Sequence, residues 1–160
     1  MLKHELSIAD REFRAAFEAG AYAPADFSHR AHVRLAYVYL AESDVNLALE
    51  RMRGSLLTFL SHHGIPATKY HATLTRAWIL AVDHFMHRSP EASSADDFIA
   101  RNPLLLDSKI MLTHYSAELL FSDQARAEFI EPNLDPIPRH HFQGLRPTSE
   151  NAGEAPSSIS

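Results

Sequence analysis

The sequence predicts an all-α fold, a helical bundle with three main helices and several short capping helices. Three observations carry this. Apolar residues recur at helical spacing through the segments around Leu35, Leu56 and Trp78. Ser28 and Asp44 stand just before the first two segments, Pro66 and Thr68 before the third, and glycine or proline follows the second and third. No strand alternation, internal repeat or coiled-coil heptad occurs anywhere in the chain.

Taken in order, Ile8 to Ala19 places Ile8, Phe13, Ala16 and Phe17 on a loose helical stripe that Gly20 can end. Pro24 breaks the pattern, and Ser28 is the expected N-cap of a second helix from about His29 to Glu42. Asp44 caps a third, with an apolar face of Val45, Leu49, Met52, Leu56, Phe59 and Leu60, stopping at Gly64. His62 and His63 fall in its last turn, where a cation suits the helix dipole. After Pro66, the segment "TKYHATLTRAWILAVDHFMHR" reads as a fourth helix, apolar in its middle and the expected centre of the core. Shorter helices follow, capped by Ser94, by Asp107 (through His114) and by Ser122. From Pro132 apolar residues thin out, so the expected division is one helical domain over 1–135 and a disordered tail over 136–160.

A chain of 160 residues can bury one core without cross-links. It contains no cysteine, which excludes disulfides, thiolate zinc sites and cysteine nucleophiles, so any metal would be held by nitrogen and oxygen. Fifteen Lys and Arg against twenty Asp and Glu give a net charge of −5, which disfavours nucleic acid as a partner. No membrane partner is expected either. The first residues lack the apolar stretch of a secretory signal and no run is long enough to span a bilayer, so a cytoplasmic location is the expectation.

Eleven histidines make placement the decisive question. In "FSHRAHVRLAYVYL", His29 and His32 lie about 60° apart around a helix and share the inward face with Val33, Ala36, Tyr39 and Leu40. In "KYHATLTRAW", His71 shares the apolar stripe of Leu74, Thr75, Trp78, Val82 and Phe85. If helices two, three and four run up, down and up, the starts of two and four meet at one end of the bundle. His29, His32 and His71 would then form a mononuclear metal site with an open position, suited to zinc, iron or copper. The positive poles of two helices, with Lys69, Arg76 and Arg30, favour a small anionic substrate beside that metal. His114, Tyr70 and Tyr115 are the candidate proton-transfer residues.

Plainer readings stand beside this one. A histidine at a helix start can simply hydrogen-bond a loop carbonyl, and H-x-x-H arises by chance in a histidine-rich chain. His84 lies about 140° around its helix from His71 and is expected to face solvent with His87. His140 and His141 fall in or next to the expected tail. Leu74, Trp78 and Phe85 read as core, and "YSAELLFSDQARAEFIEP" reads as core packing before a lid or half of a homodimer interface.

The segments "FSHRAHVRLAYVYL", "KYHATLTRAW" and "LLLDSKIMLTHYSAELLFSDQARAEFIEPNLDPIP" resemble an uncharacterised family of small bacterial helical proteins with FxHxxHVRxA and KYHxTxTRxW motifs. The resemblance spans most of residues 27–138 and implies no reaction, ligand or functional residue. Two functions from different classes follow from the residues themselves. One is a metal-dependent enzyme acting on a small anionic substrate. The other is a non-catalytic helical module that binds a small ligand or a partner protein. No H-E-x-x-H, G-x-S-x-G or phosphate-binding glycine loop is present, and there are only five glycines to build one.

Overall fold

The computed structural model describes residues 3–140, in which seven α-helices are joined by short loops and 3₁₀ turns, with no strand among the described residues. Helix α1 (Ile8–Glu18) begins in a reciprocal capping box: Ser7 Oγ accepts from the Asp10 amide, and Asp10 Oδ2 accepts from the Ser7 amide, both at 3.0 Å. The chain leaves it through Gly20 at φ 76°. A Cβ there would sit 2.5 Å from the His62 ring, so this position requires glycine for its backbone angle and for close approach.

Helix α2 (His29–Glu42) starts and stops where the sequence places it, with Ser28 capping through the Ala31 amide. From Leu35 to Leu40 every residue is buried, which a helix achieves only when neighbours surround it. Those neighbours are α1, α3 (Val45–His62), α4 (Ala72–Arg88) and α5 (Ala95–Arg101). The centre of the core is therefore shared by α2 and α4 and does not belong to α4 alone. Two tyrosines inside α2 place their hydroxyls on distant acceptors: Tyr37 donates to the Glu5 carbonyl and Tyr39 to Glu18 Oε2, each at 2.7 Å. Burying the rings and satisfying the polar tips resolves the cost of placing phenols in a core.

Asp10 does similar work between helices. It is 1% exposed, yet its carboxylate receives the Ser7 amide, Arg34 Nε at 3.1 Å and the Ala95 amide at 2.9 Å. One buried charge thus joins the starts of α1 and α5 to the middle of α2.

Asp44 caps α3 through the Leu47 amide at 2.8 Å, and Gly64 closes its end at φ 67°. Helices α2, α3 and α4 pack pairwise around one core. The fourth helix starts later than its apolar pattern suggests. Residues Ala67–Lys69 form a 3₁₀ turn, and His71, expected inside the first turns, is the N-cap of α4.

Ser94 caps α5 as expected, but the helix expected after Asp107 is replaced by 3₁₀ turns at Pro103–Leu106 and Ser108–Thr113. Asp107 Oδ1 accepts from the amide only two residues on, Lys109, which favours a turn over an α-helical start. A short α6 (Ala117–Leu120), capped by Ser116, precedes α7 (Asp123–Ala127), capped by Ser122.

Residues 128–140 then run back along α4 as a strap. Thr73 Oγ1 donates to the Glu128 carbonyl at 2.9 Å and accepts from the Ile130 amide at 3.1 Å. Arg76 lies 4.4 Å over the Phe129 ring, Ile137 is buried, and His140 meets the far end of α4. The expected domain boundary at 135 falls within this strap, and the tail beyond 140, with His141, lies outside the described residues. Among the described residues no helix is long and apolar enough to cross a membrane.

Candidate functional site

A cavity of about 260 Å³ opens between the start of α2, the end of α3 and the start of α4. Its walls are apolar where Phe27, Leu56, Phe59, Leu60 and Leu74 meet, and polar at His32, Lys69, Tyr70, His71 and Thr75. That two helix starts and one helix end share this cavity fits the antiparallel course that the loops joining α2, α3 and α4 favour. The same course brings the negative pole of α3 to the site, offsetting part of the positive poles of α2 and α4. Among the described residues Lys69 is then the cation at the cavity, and no carboxylate lines it.

The three histidines have different roles. His71 is buried, and its Nδ1 accepts the Leu74 amide at 3.1 Å. That bond leaves the ring proton on Nε2, which donates to the Leu120 carbonyl at 2.8 Å. The ring caps α4 and ties it to α6. Burial, with Arg126 nearby, holds its pKa below the usual histidine value, against the opposing pull of the Leu120 carbonyl. His29 sits against Trp78, ring centroids 4.6 Å apart, and its Nε2 donates to the Leu105 carbonyl at 2.9 Å.

His32 is the exception. Its Nε2 is buried and has no hydrogen-bond partner among the described residues, and its ring lies 5.8 Å from that of Phe27. Burial first, and the neighbouring His29 second, push its pKa down to about 4, so the ring is neutral at pH 7. An imidazole without charge in an apolar wall is an uncharged hydrogen-bonding group.

The expected convergence of His29, His32 and His71 on one metal is not what these bonds describe. Among the described residues no group of three or more histidine, aspartate or glutamate side chains is placed to hold a metal ion. His32 and His71 share the cavity lining, but both nitrogens of His71 are engaged, and His29 is not part of the lining. The cause is local: His71 precedes its helix as the cap, so its ring is turned onto the first turn of α4.

The remaining candidates divide in the same way. Lys69 and Tyr70 line the cavity, and burial raises the Tyr70 pKa. Arg30 instead pairs with Asp96 at 3.0 Å, and Arg76 covers Phe129. His114 Nδ1 bonds the Asp135 carbonyl at 2.7 Å, and Tyr115, wholly buried, donates to the Ile130 carbonyl at 2.5 Å. Those four hold loops and the strap in place and are not part of the cavity wall.

Several histidines act where the sequence reading gave them no role. His4 is buried between the Tyr37 and Phe98 rings; it accepts the Ala92 amide at 3.3 Å and donates to the Met86 carbonyl at 2.7 Å. His84 and His87 do not face open solvent, because His140 of the strap hydrogen-bonds the first and stacks on the second. Thr73, Arg76, Leu80, His84 and His87 fall at i, i+3, i+7, i+11 and i+14, a mostly polar stripe that gives no hydrophobic signal of the cover it receives.

No family model matches the chain, no curated protein matches it, and no solved structure matches it.

Proposed function

We propose that this chain is a small-molecule binding module, and that its ligand is a compact, mainly apolar molecule carrying one acidic group. The observation that carries the reading is the composition of the cavity wall: among the described residues, five apolar side chains, one lysine and no carboxylate. An apolar wall with few polar groups is the usual make-up of a ligand site, and about 260 Å³ suits a molecule smaller than a typical drug. Lys69 would take the acidic group, and neutral His32 would tolerate an apolar body beside it. His71 spends its nitrogens on the α4 cap and on the Leu120 carbonyl, and Thr75 Oγ1 donates to the His71 carbonyl at 2.8 Å.

Calorimetric titration with hexanoate and with 1-hexanol tests this reading. Hexanoate is expected to bind more tightly than the alcohol, and Lys69→Gln is expected to remove that preference, a change of about tenfold. Equal binding of acid and alcohol, or none of either, overturns it.

The second reading is the metal-dependent enzyme with a mononuclear zinc, iron or copper ion acting on a small anionic substrate. It draws on His32 and His71 lining one cavity. It requires His71 to give up at least one of its two hydrogen bonds, releasing the α4 cap or the Leu120 carbonyl. Elemental analysis separates the two. Stoichiometric metal that is lost in both His32→Ala and His71→Ala favours the enzyme, whereas a metal-free protein that binds hexanoate favours the module.

A further inference from the structure

The polar contacts of the strap's last residue with α4 are made through histidine. His84 Nδ1 and His140 Nε2 are 2.8 Å apart, a hydrogen bond in which one ring must donate and the other accept. The His140 ring also stacks on His87, centroids 4.2 Å apart and 10° from parallel, and lies edge to edge with His84, centroids 5.1 Å apart and 14° from coplanar. Three residues earlier Ile137 is buried, so docking of this segment covers apolar surface as well.

We propose that His84, His87 and His140 form a proton-sensitive clasp that holds residues 137–140 on α4 when the rings are neutral and releases them when His84 and His140 are both charged. The geometry requires this sequence. One added proton leaves an imidazolium donating to a neutral imidazole, which still bonds. A second makes both facing nitrogens donors, 2.8 Å apart, with like charges on the two rings.

The charges around the clasp do not relieve this repulsion. From α4, Arg88 adds positive charge near His84. From the strap, Arg139 is adjacent in sequence, and its charge is met by Glu131 at 2.6 Å. The one carboxylate on α4 at this end, Asp83, lies 3.5 Å from His87 Nδ1, and that same nitrogen donates to the Asp83 carbonyl at 2.9 Å. Asp83 therefore offsets charge on His87 and not across the His84–His140 pair. Burial first, then His140, Arg88 and His87, lower the pKa of His84, and burial first, then His87, lower that of His140, placing release below the ordinary histidine range.

The test is a methyl and histidine-ring NMR titration of the full chain from about pH 7.5 to about pH 4.5, with Ile137 reporting the strap and Ile79 the core. The expected result is that the Ile137 methyl and His140 ring signals move to unstructured positions while Ile79 keeps its native shift. His140→Gln, which cannot gain charge, is expected to show no such transition. Ile137 moving only together with Ile79, Ile137 not moving at all, or an unchanged transition in His140→Gln would each overturn the clasp.

Discussion

His71 has its two nitrogens in opposite roles, accepting the Leu74 amide and donating to the Leu120 carbonyl, so one neutral tautomer serves two helices. His71→Ala removes a cap and orphans a carbonyl, and is expected to cost about 2–3 kcal/mol. His71→Asn can keep the cap and should recover about half of that in urea unfolding. At Gly20 the constraint is both conformational and steric. Gly20→Ala is expected to destabilise by about 1–3 kcal/mol. Adding His62→Ala should return only the steric part, because φ stays at 76°. At this scale the sequence is a partial guide. It places His29, His32 and His71 near two helix starts, but it cannot show which way an imidazole turns, and that decides between a ligand and a cap. A histidine N-cap is hard to foresee because serine, threonine, aspartate and asparagine are the usual caps.

Among the elements, boundaries follow the hydroxyl and aspartate caps closely. Ser28, Asp44, Ser94 and Ser122 each accept from an amide three residues on, and the helices they begin were legible for that reason. The stretch from Pro103 to Thr113 was not, because its 3₁₀ turns depend on Asp107 bonding two residues ahead, which competes locally with helix. The strap was missed for a different reason: its polar, proline-containing sequence has no periodicity, and its order comes from Thr73, Tyr115 and α4. Asp10 gives the sharpest prediction at this scale. Asp10→Ala leaves Arg34 and the Ala95 amide without their buried partner and is expected to cost about 3–5 kcal/mol. Ser7→Ala, which loses only the cap of α1, should cost about 1 kcal/mol. Thermal unfolding of the two variants checks the order.

For the whole molecule, two buried groups make opposite demands on pH. The folded pKa of His32, about 4, lies below the unfolded value of about 6.5, so its contribution is present above that value and is lost as pH falls toward 4, by about 3 kcal/mol. Burial raises Asp83 to about 6 although His87 opposes it, so the folded protein takes up a proton there before the unfolded chain and gains stability as pH falls through the same window. The wild-type stability curve between these values is therefore expected to be flatter than that of either variant. Asp83→Asn should lose stability more steeply on acidification, and His32→Gln should gain. Urea midpoints at matched pH values measure this directly.

The same His32 lines the cavity on which the functional reading rests, and the site can be located by the residues that respond to a ligand. A hexanoate titration followed through the methyl and ring resonances of the labelled protein is the most direct measurement. Saturable shifts at Leu56, Leu60, Leu74, Thr75 and the His32 ring, with the exposed Leu104, Leu106 and Leu134 unmoved, are the predicted result. Shifts confined to those exposed leucines, or no saturable shift at any lining residue, would contradict it.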